Sequence, residues 1–220
     1  RNVSKYLPED YDVKTHFTPK YYPLEQRPLI LPDADFLKVI SNGSGTMETD
    51  HIDHFTKTGI QLKSGKHLKA DIVISATGLK LIPIGGIQVY IDDKRVNPSD
   101  HYLYKSASMM SGVPNLATII GLGAASWTEK ADLVAEHLCR IINYLDEKGF
   151  DCAYPDPDIK ETKRPFIDFM NSGYIKRAIN DFPKQGQSRA WSIGLDFQKE
   201  KKFLLEEPID DGYLKFDRVH

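Results

Sequence analysis

Two short stretches carry the residue types that could do chemistry. Gln26-Arg27 sits in a run rich in proline and aromatic residues, with Pro19, Pro23 and Pro28 close by. An arginine held by so rigid a backbone offers a preorganised, permanently charged fork for an anion, although the same residue could serve as a plain surface or structural arginine. Gly121-Leu122-Gly123-Ala124-Ala125-Ser126 follows the apolar run Leu116–Ile120 and precedes a capped helix. That is the setting of a dinucleotide fingerprint, with serine in place of the third glycine. It reads either as a tight strand-to-helix turn or as a helix start whose free N–H groups and positive end stabilise an anionic cofactor group.

Other candidates are weaker. His51 and His54 are three apart on an expected strand, so they point to opposite faces, and no metal site is expected. Cys139 reads as a small core residue of a helix, and the cluster of Lys199, Lys201 and Lys202 as a solvated helix face.

The elements that must position these groups follow from period and punctuation. Five prolines among residues 1–32 exclude a long helix or central strand there, and the tyrosines between them predict an ordered, extended segment. A short helix is expected over 35–41, stopped by Asn42-Gly43. Residues 46–75 read as an antiparallel meander with turns at Thr58-Gly59 and Ser64-Gly65, ending in a strand over 71–75 covered on both faces. A hairpin with Asp92-Asp93 as its turn and a strand over 116–120 come next. The longest helix then starts at a Ser126/Glu129 capping box, shows Val134, Leu138, Ile141 and Leu145 as one stripe, and closes at Lys148-Gly149. Residues 151–165 read as a loop, and helices are expected at 174–182 and around 197–205.

Composition bounds the class. The chain has 220 residues, 31 acidic against 29 basic, with 40% hydrophobic and 27% charged residues, as expected of a globular protein and not of a nucleic-acid binder carried by bulk charge. Two cysteines without a Cys-x-x-Cys pair suit a reducing compartment, and a cytoplasmic location is expected. No apolar run approaches the ~20 residues that cross a bilayer. The start, Arg1-Asn2-Val3-Ser4, suggests that something precedes this sequence.

Several motifs in order carry a resemblance. They are His16-Phe17-Thr18-Pro19-Lys20-Tyr21-Tyr22-Pro23 running to Gln26-Arg27, Asp71-Ile72-Val73-Ile74-Ser75-Ala76-Thr77-Gly78, and Ser111-Gly112-Val113-Pro114-Asn115. Ala125-Ser126-Trp127-Thr128-Glu129-Lys130-Ala131-Asp132-Leu133, Phe182-Pro183-Lys184-Gln185-Gly186 and Ile209-Asp210-Asp211-Gly212 complete the set. Together they resemble bacterial flavin-containing monooxygenases of the Baeyer–Villiger type. The resemblance implies an α/β fold, an incomplete flavoprotein with two dinucleotide-binding domains. Residues 1–75 would end the NADPH domain, 76–150 would end the FAD domain, and 151–220 would be a helical C-terminal region. It implies a missing N-terminal half, which would hold both glycine-rich fingerprints, and a fragment inactive alone. A homo-oligomer is a further possible partner state.

In that family a flavin peroxide made from O2 attacks a ketone carbon or a soft sulfur or nitrogen of a small-molecule substrate. Arg27 matches the arginine that stabilises the peroxide, and Gln26 stands where many relatives carry lysine toward the NADPH phosphate. Ala76, Thr77 and Gly78 would cross between domains. Gly121, Gly123, Ser126, Trp127 and Thr128 would face the FAD. The alternative is a truncated, non-catalytic binding module on the same scaffold.

Overall fold

The computed structural model describes residues 3–22, 26, 31–120 and 127–219. It mixes helices and strands, and its contacts divide the chain into two compact units, Arg1–Leu79 and Lys80–His220.

In the first unit the expected extended segment contains a 3-10 turn, Val3–Tyr6, and a five-residue helix, α1 (Val13–Phe17). No proline falls between Pro8 and Pro19, so the backbone donors are present, and the Asp12 carboxylate caps α1 by accepting the Thr15 N–H at 3.0 Å. Helix α2 (Asp35–Ser41) lies where its spacing places it and buries Leu37 and Ile40 against Leu7. The meander is present as β1 (Ile52–Thr56), β2 (Gly59–Leu62) and β3 (His67–Lys69), ordered β1-β2-β3 and antiparallel. Gly59 has φ +148°, and a Cβ there would overlap the Leu68 carbonyl oxygen, so the turn admits only glycine.

The strand expected over 71–75 does not form. Ile72 and Ile74 are 81% and 87% exposed, because among the described residues no neighbouring strand supplies the ladder that a two-sided strand needs.

The second unit opens with the hairpin β4 (Tyr90–Ile91) and β5 (Lys94–Arg95), whose turn residues Asp92 and Asp93 both have positive φ, 47° and 62°, as a tight hairpin requires. A second hairpin, β6 (Leu103–Tyr104) and β7 (Met109–Met110), encloses Lys105, Ser106 and Ala107, all left-handed at φ 33°, 60° and 65°. The expected strand over 116–120 is reduced to one bridge, Ala117 to Met109, with Thr118 N–H donating to Ser108 O at 2.8 Å.

Helix α3 (Trp127–Lys148) has 22 residues, as its stripe predicts. Cys139, however, is exposed. It is two residues from both His137 and Ile141, about 200° round the helix from the buried face. The expected loop over 151–165 contains β8 (Cys152–Pro155), paired with β9 (Leu214–Asp217). Helix α4 (Gly173–Ala178) is shorter than its spacing suggests, and α5 (Phe197–Leu205) keeps Lys199, Lys201 and Lys202 exposed.

The core of this unit gathers on Trp191, which is met edge-on by Tyr102, Tyr104 and Tyr213 at centroid distances of 6.3, 5.6 and 5.8 Å. Ile141 of α3 and Ala153 and Leu214 of the β8–β9 pair complete it. Beside it Leu133 and Val134 of α3 pack on Leu204 of α5. Burying side chains of this size stabilises by about 2 kcal/mol each.

His137 belongs to the same buried face. One ring nitrogen, Nδ1, lies 3.0 Å from Leu204 O, and Nε2 is buried without a partner, so the ring is neutral with its proton on Nδ1. Burial, followed by the charge of Lys105, lowers its pKa from 6.5 to about 4. The unfolded ring therefore takes up a proton first, and stability that is complete above pH 6.5 is lost as the pH falls toward 4. The expected loss is on the order of 3 kcal/mol. Urea midpoints of the wild-type chain and His137→Gln at pH 7 and pH 4.5 check this. The variant should lose less than the wild type across that interval, and parallel losses would show that His137 does not set the acid limit.

Candidate functional site

Of the residues singled out in the sequence, Arg27, Gly121, Gly123 and Ser126 lie outside the described residues, and with Ser126 the capping box. Gln26 is half-buried in a bend. Ala76, Thr77 and Gly78 are exposed and without regular structure, with Gly78 at φ 106° and the Thr77 hydroxyl 3.5 Å from that of Ser75. Trp127, 48% exposed, and Thr128 form the exposed first turn of α3. The expected positions thus fall in both units, with Gln26 and Ala76–Gly78 in the first and Trp127-Thr128 in the second.

What lies beneath the first turn of α3 was not singled out in the sequence. Lys130, 3% exposed, donates to Ser106 Oγ at 2.7 Å and pairs with the Glu200 carboxylate of α5. The other oxygen of Glu200 is taken by Arg189, whose guanidinium lies 4.3 Å from the centre of the Phe203 ring. Burial, followed by the charge of Arg189, lowers the Lys130 ammonium to about 8, which leaves it protonated at neutral pH.

A second buried pair adjoins this network. Lys105 Nζ lies 2.9 Å from Asp211 Oδ2, and that oxygen also accepts the Tyr104 hydroxyl at 2.8 Å. Burial pushes the Asp211 carboxyl up, but its bonds with Lys105 and Tyr104 outweigh this and hold it below the ordinary value. Burial, with Asp211 next, raises Tyr104. At the far end of α5, Arg140 and His137 meet the Leu204 carbonyl, and Arg140 reaches Glu207 O at 2.8 Å.

The sequence did hold a signal for this. Lys130 and His137 stand seven apart on the same helical face as Val134 and Ile141, and a charged residue on an apolar stripe must find a partner.

Three motifs that carry the family resemblance also support the scaffold. The Gln185 side chain is buried, donating to Pro165 O and Phe166 O at 3.1 and 3.0 Å and accepting Ile193 N–H at 2.7 Å. Asp211 holds the Tyr104-Lys105 corner, and Asn115 Oδ1 accepts the Ala153 N–H at 3.0 Å.

The arrangement is a long helix whose exposed first turn sits over a buried cluster with two cations on one carboxylate. Such a helix end favours a negatively charged group. Among the described residues no group of three metal-ligating side chains occurs.

Comparison with known sequences finds homologues along nearly the whole chain, and they are named FAD-binding or FAD-containing monooxygenases. It is 46% identical over 220 residues to the "Probable FAD-binding monooxygenase AlmA" of an Acinetobacter species, covering 99% of this chain and 44% of that protein. It is 42% identical over 217 residues to the FAD-containing monooxygenase EthA of Mycobacterium tuberculosis, covering 97% of this chain and 44% of EthA. The EthA of Mycolicibacterium smegmatis is 40% identical over 213 residues, covering 96% and 43%. The chain therefore spans somewhat less than half the length of the curated relatives it matches. No family model matches it, and no solved structure does. No helix among the described residues is long and apolar enough to cross a membrane.

Asp211→Asn leaves Lys105, 1% exposed, without a counter-charge. Breaking a buried pair from one side costs about 3–5 kcal/mol, and removing both charges costs less. Chemical unfolding of the chain should show a loss of about 3 kcal/mol for Asp211→Asn and partial recovery in the Lys105→Met/Asp211→Asn double variant. A single variant as stable as the wild type would mean that the pair does not hold this corner.

Proposed function

We propose that this chain is the C-terminal part of an FAD- and NADPH-dependent monooxygenase of the Baeyer–Villiger type. The protein would transfer one oxygen atom of O2 to ketones or to soft sulfur or nitrogen centres of small molecules. The observation that carries the reading is identity of 40–46% along almost the whole chain to proteins named as FAD-binding or FAD-containing monooxygenases.

In this reading, residues 1–75 complete the nicotinamide domain and Ala76-Thr77-Gly78 cross back. Residues 76–150 complete the FAD domain, and 151–220 form the C-terminal region that packs on it. The described residues suit one side of a flavin. An exposed aromatic and a hydroxyl, Trp127 and Thr128, stand on the first turn of a long helix above a buried cationic cluster. Gly121 and Gly123 would let the backbone approach the ring closely. The bound flavin supplies the redox chemistry and the activation of O2.

Arg27 would hold a fixed positive charge toward the bound flavin, a task suited to a guanidinium that keeps its proton. Gln26, next to it, would meet the nicotinamide cofactor without the charge a lysine would bring. The exposed Ile72, Ile74 and Ile87 suit burial against the rest of the full-length protein. Both cysteines are free, in keeping with a reducing, cytoplasmic setting.

The chain alone should not retain FAD, because it contains neither complete glycine-rich pyrophosphate loop. Flavin absorbance after dialysis checks this, and one flavin retained per chain would contradict it. In the full-length protein, Arg27→Ala should keep FAD binding and NADPH oxidation while oxygenated product per NADPH falls ~100-fold or more. Arg27→Lys should recover only part of that yield. A normal product yield from the alanine variant would reduce Arg27 to a structural residue.

A further inference from the structure

The Lys130–Glu200–Arg189 cluster does more than the packing of α5 on α3 demands. A cation in the first turn of a helix opposes the helix dipole, and a buried lysine loses its hydration. A stripe that only had to pack would carry an apolar residue at 130, as it does at 133, 134 and 141. Instead Lys130 is held from two sides, by Ser106 of the left-handed turn and by Glu200.

The carboxylate is fixed in turn. Arg189 grips its second oxygen, and Gly194 lies so close that a Cβ there would overlap both Glu200 Oε1 and the Arg189 guanidinium. Two cations share one carboxylate, and the adjoining Lys105–Asp211 pair is neutral as a whole. Lys130, Glu200 and Arg189 thus sum to one positive charge at the start of α3, with Lys130 and Glu200 buried, where charge acts with little screening, and Arg189 at the exposed rim near Asp196.

We propose that Lys130, Glu200 and Arg189 are positioning residues that set the electrostatic potential at the first turn of α3 and so tune a flavin lying against Trp127 and Thr128. This rests on the flavin site proposed above. Reduction places negative charge on the pyrimidine side of a flavin, and a fixed positive charge nearby raises its reduction potential. Lys130 and Glu200 contribute to that potential with opposite sign although they belong to the same ion pair.

The opposition of sign separates this role from a merely structural one. In the full-length, FAD-loaded protein, the flavin midpoint potential at pH 7 should fall in Lys130→Met and rise in Glu200→Gln. Loosening the packing would move both variants the same way, and that result, or no shift in either, would overturn the proposal. Arg189 has a side chain 37% exposed at the rim of the cluster, so Arg189→Gln is the variant least disruptive to folding. It should lower the potential by less than Lys130→Met, and an unchanged potential in folded Arg189→Gln would equally overturn the proposal. A wild-type full-length protein that retains no FAD would instead refute the flavin site itself, and this inference with it.

Discussion

The second unit depends on a carboxylate cut off from water. Glu200 is 1% exposed and lies between two cations that reach it from different parts of the chain, Lys130 on α3 and Arg189 on the 3-10 turn Arg189–Trp191. A buried charge is tolerable only when its hydrogen-bonding capacity is met, so the three residues fix one another's places. The same turn contributes Trp191, on which the aromatic core gathers, so ionic and apolar packing share a backbone.

That constraint explains why a sharply bent backbone persists at Lys105, Ser106 and Ala107. Consecutive left-handed residues cost of order 1 kcal/mol each. Here they are repaid by bonds that no extended chain would offer. Lys105 N–H donates to Ala190 O at 2.7 Å, Ser108 N–H to Tyr104 O at 3.0 Å, and the side chains of Lys105 and Ser106 reach Asp211 and Lys130. The turn, α3 and α5 form one cooperative corner, with the exposed first turn of α3 at its surface.

Local signals made much of this legible in the sequence. The stripe and the closing Lys148-Gly149 mark α3, and the turn pairs Thr58-Gly59, Ser64-Gly65 and Asp92-Asp93 mark the β1–β2–β3 meander and the β4–β5 hairpin, whereas the β6–β7 hairpin carries no such signal. The two strand failures share a cause, a dependence on partners remote in sequence. Residues 71–75 have strand composition but no described neighbour, whereas Cys152–Pro155, too short and too rich in loop signals to be noticed, becomes a strand because Leu214–Asp217 lies alongside. Cys139 differs for a local reason, since helical phase turns it away from the buried face of α3. Of the candidate site, Trp127 and Thr128 were legible as a helix start, while the cluster beneath them needed the 70-residue separation between Lys130 and Glu200 to be closed.

In the proposed function, the start of α3 is where this chain would meet a flavin. Amide hydrogen exchange in the full-length protein, compared with FAD bound and with FAD removed, tests that directly. Exchange should slow on FAD binding over residues 121–130, and the β8–β9 pair should be unaffected. Unchanged exchange over 121–130, with protection arising elsewhere in the chain, would contradict it.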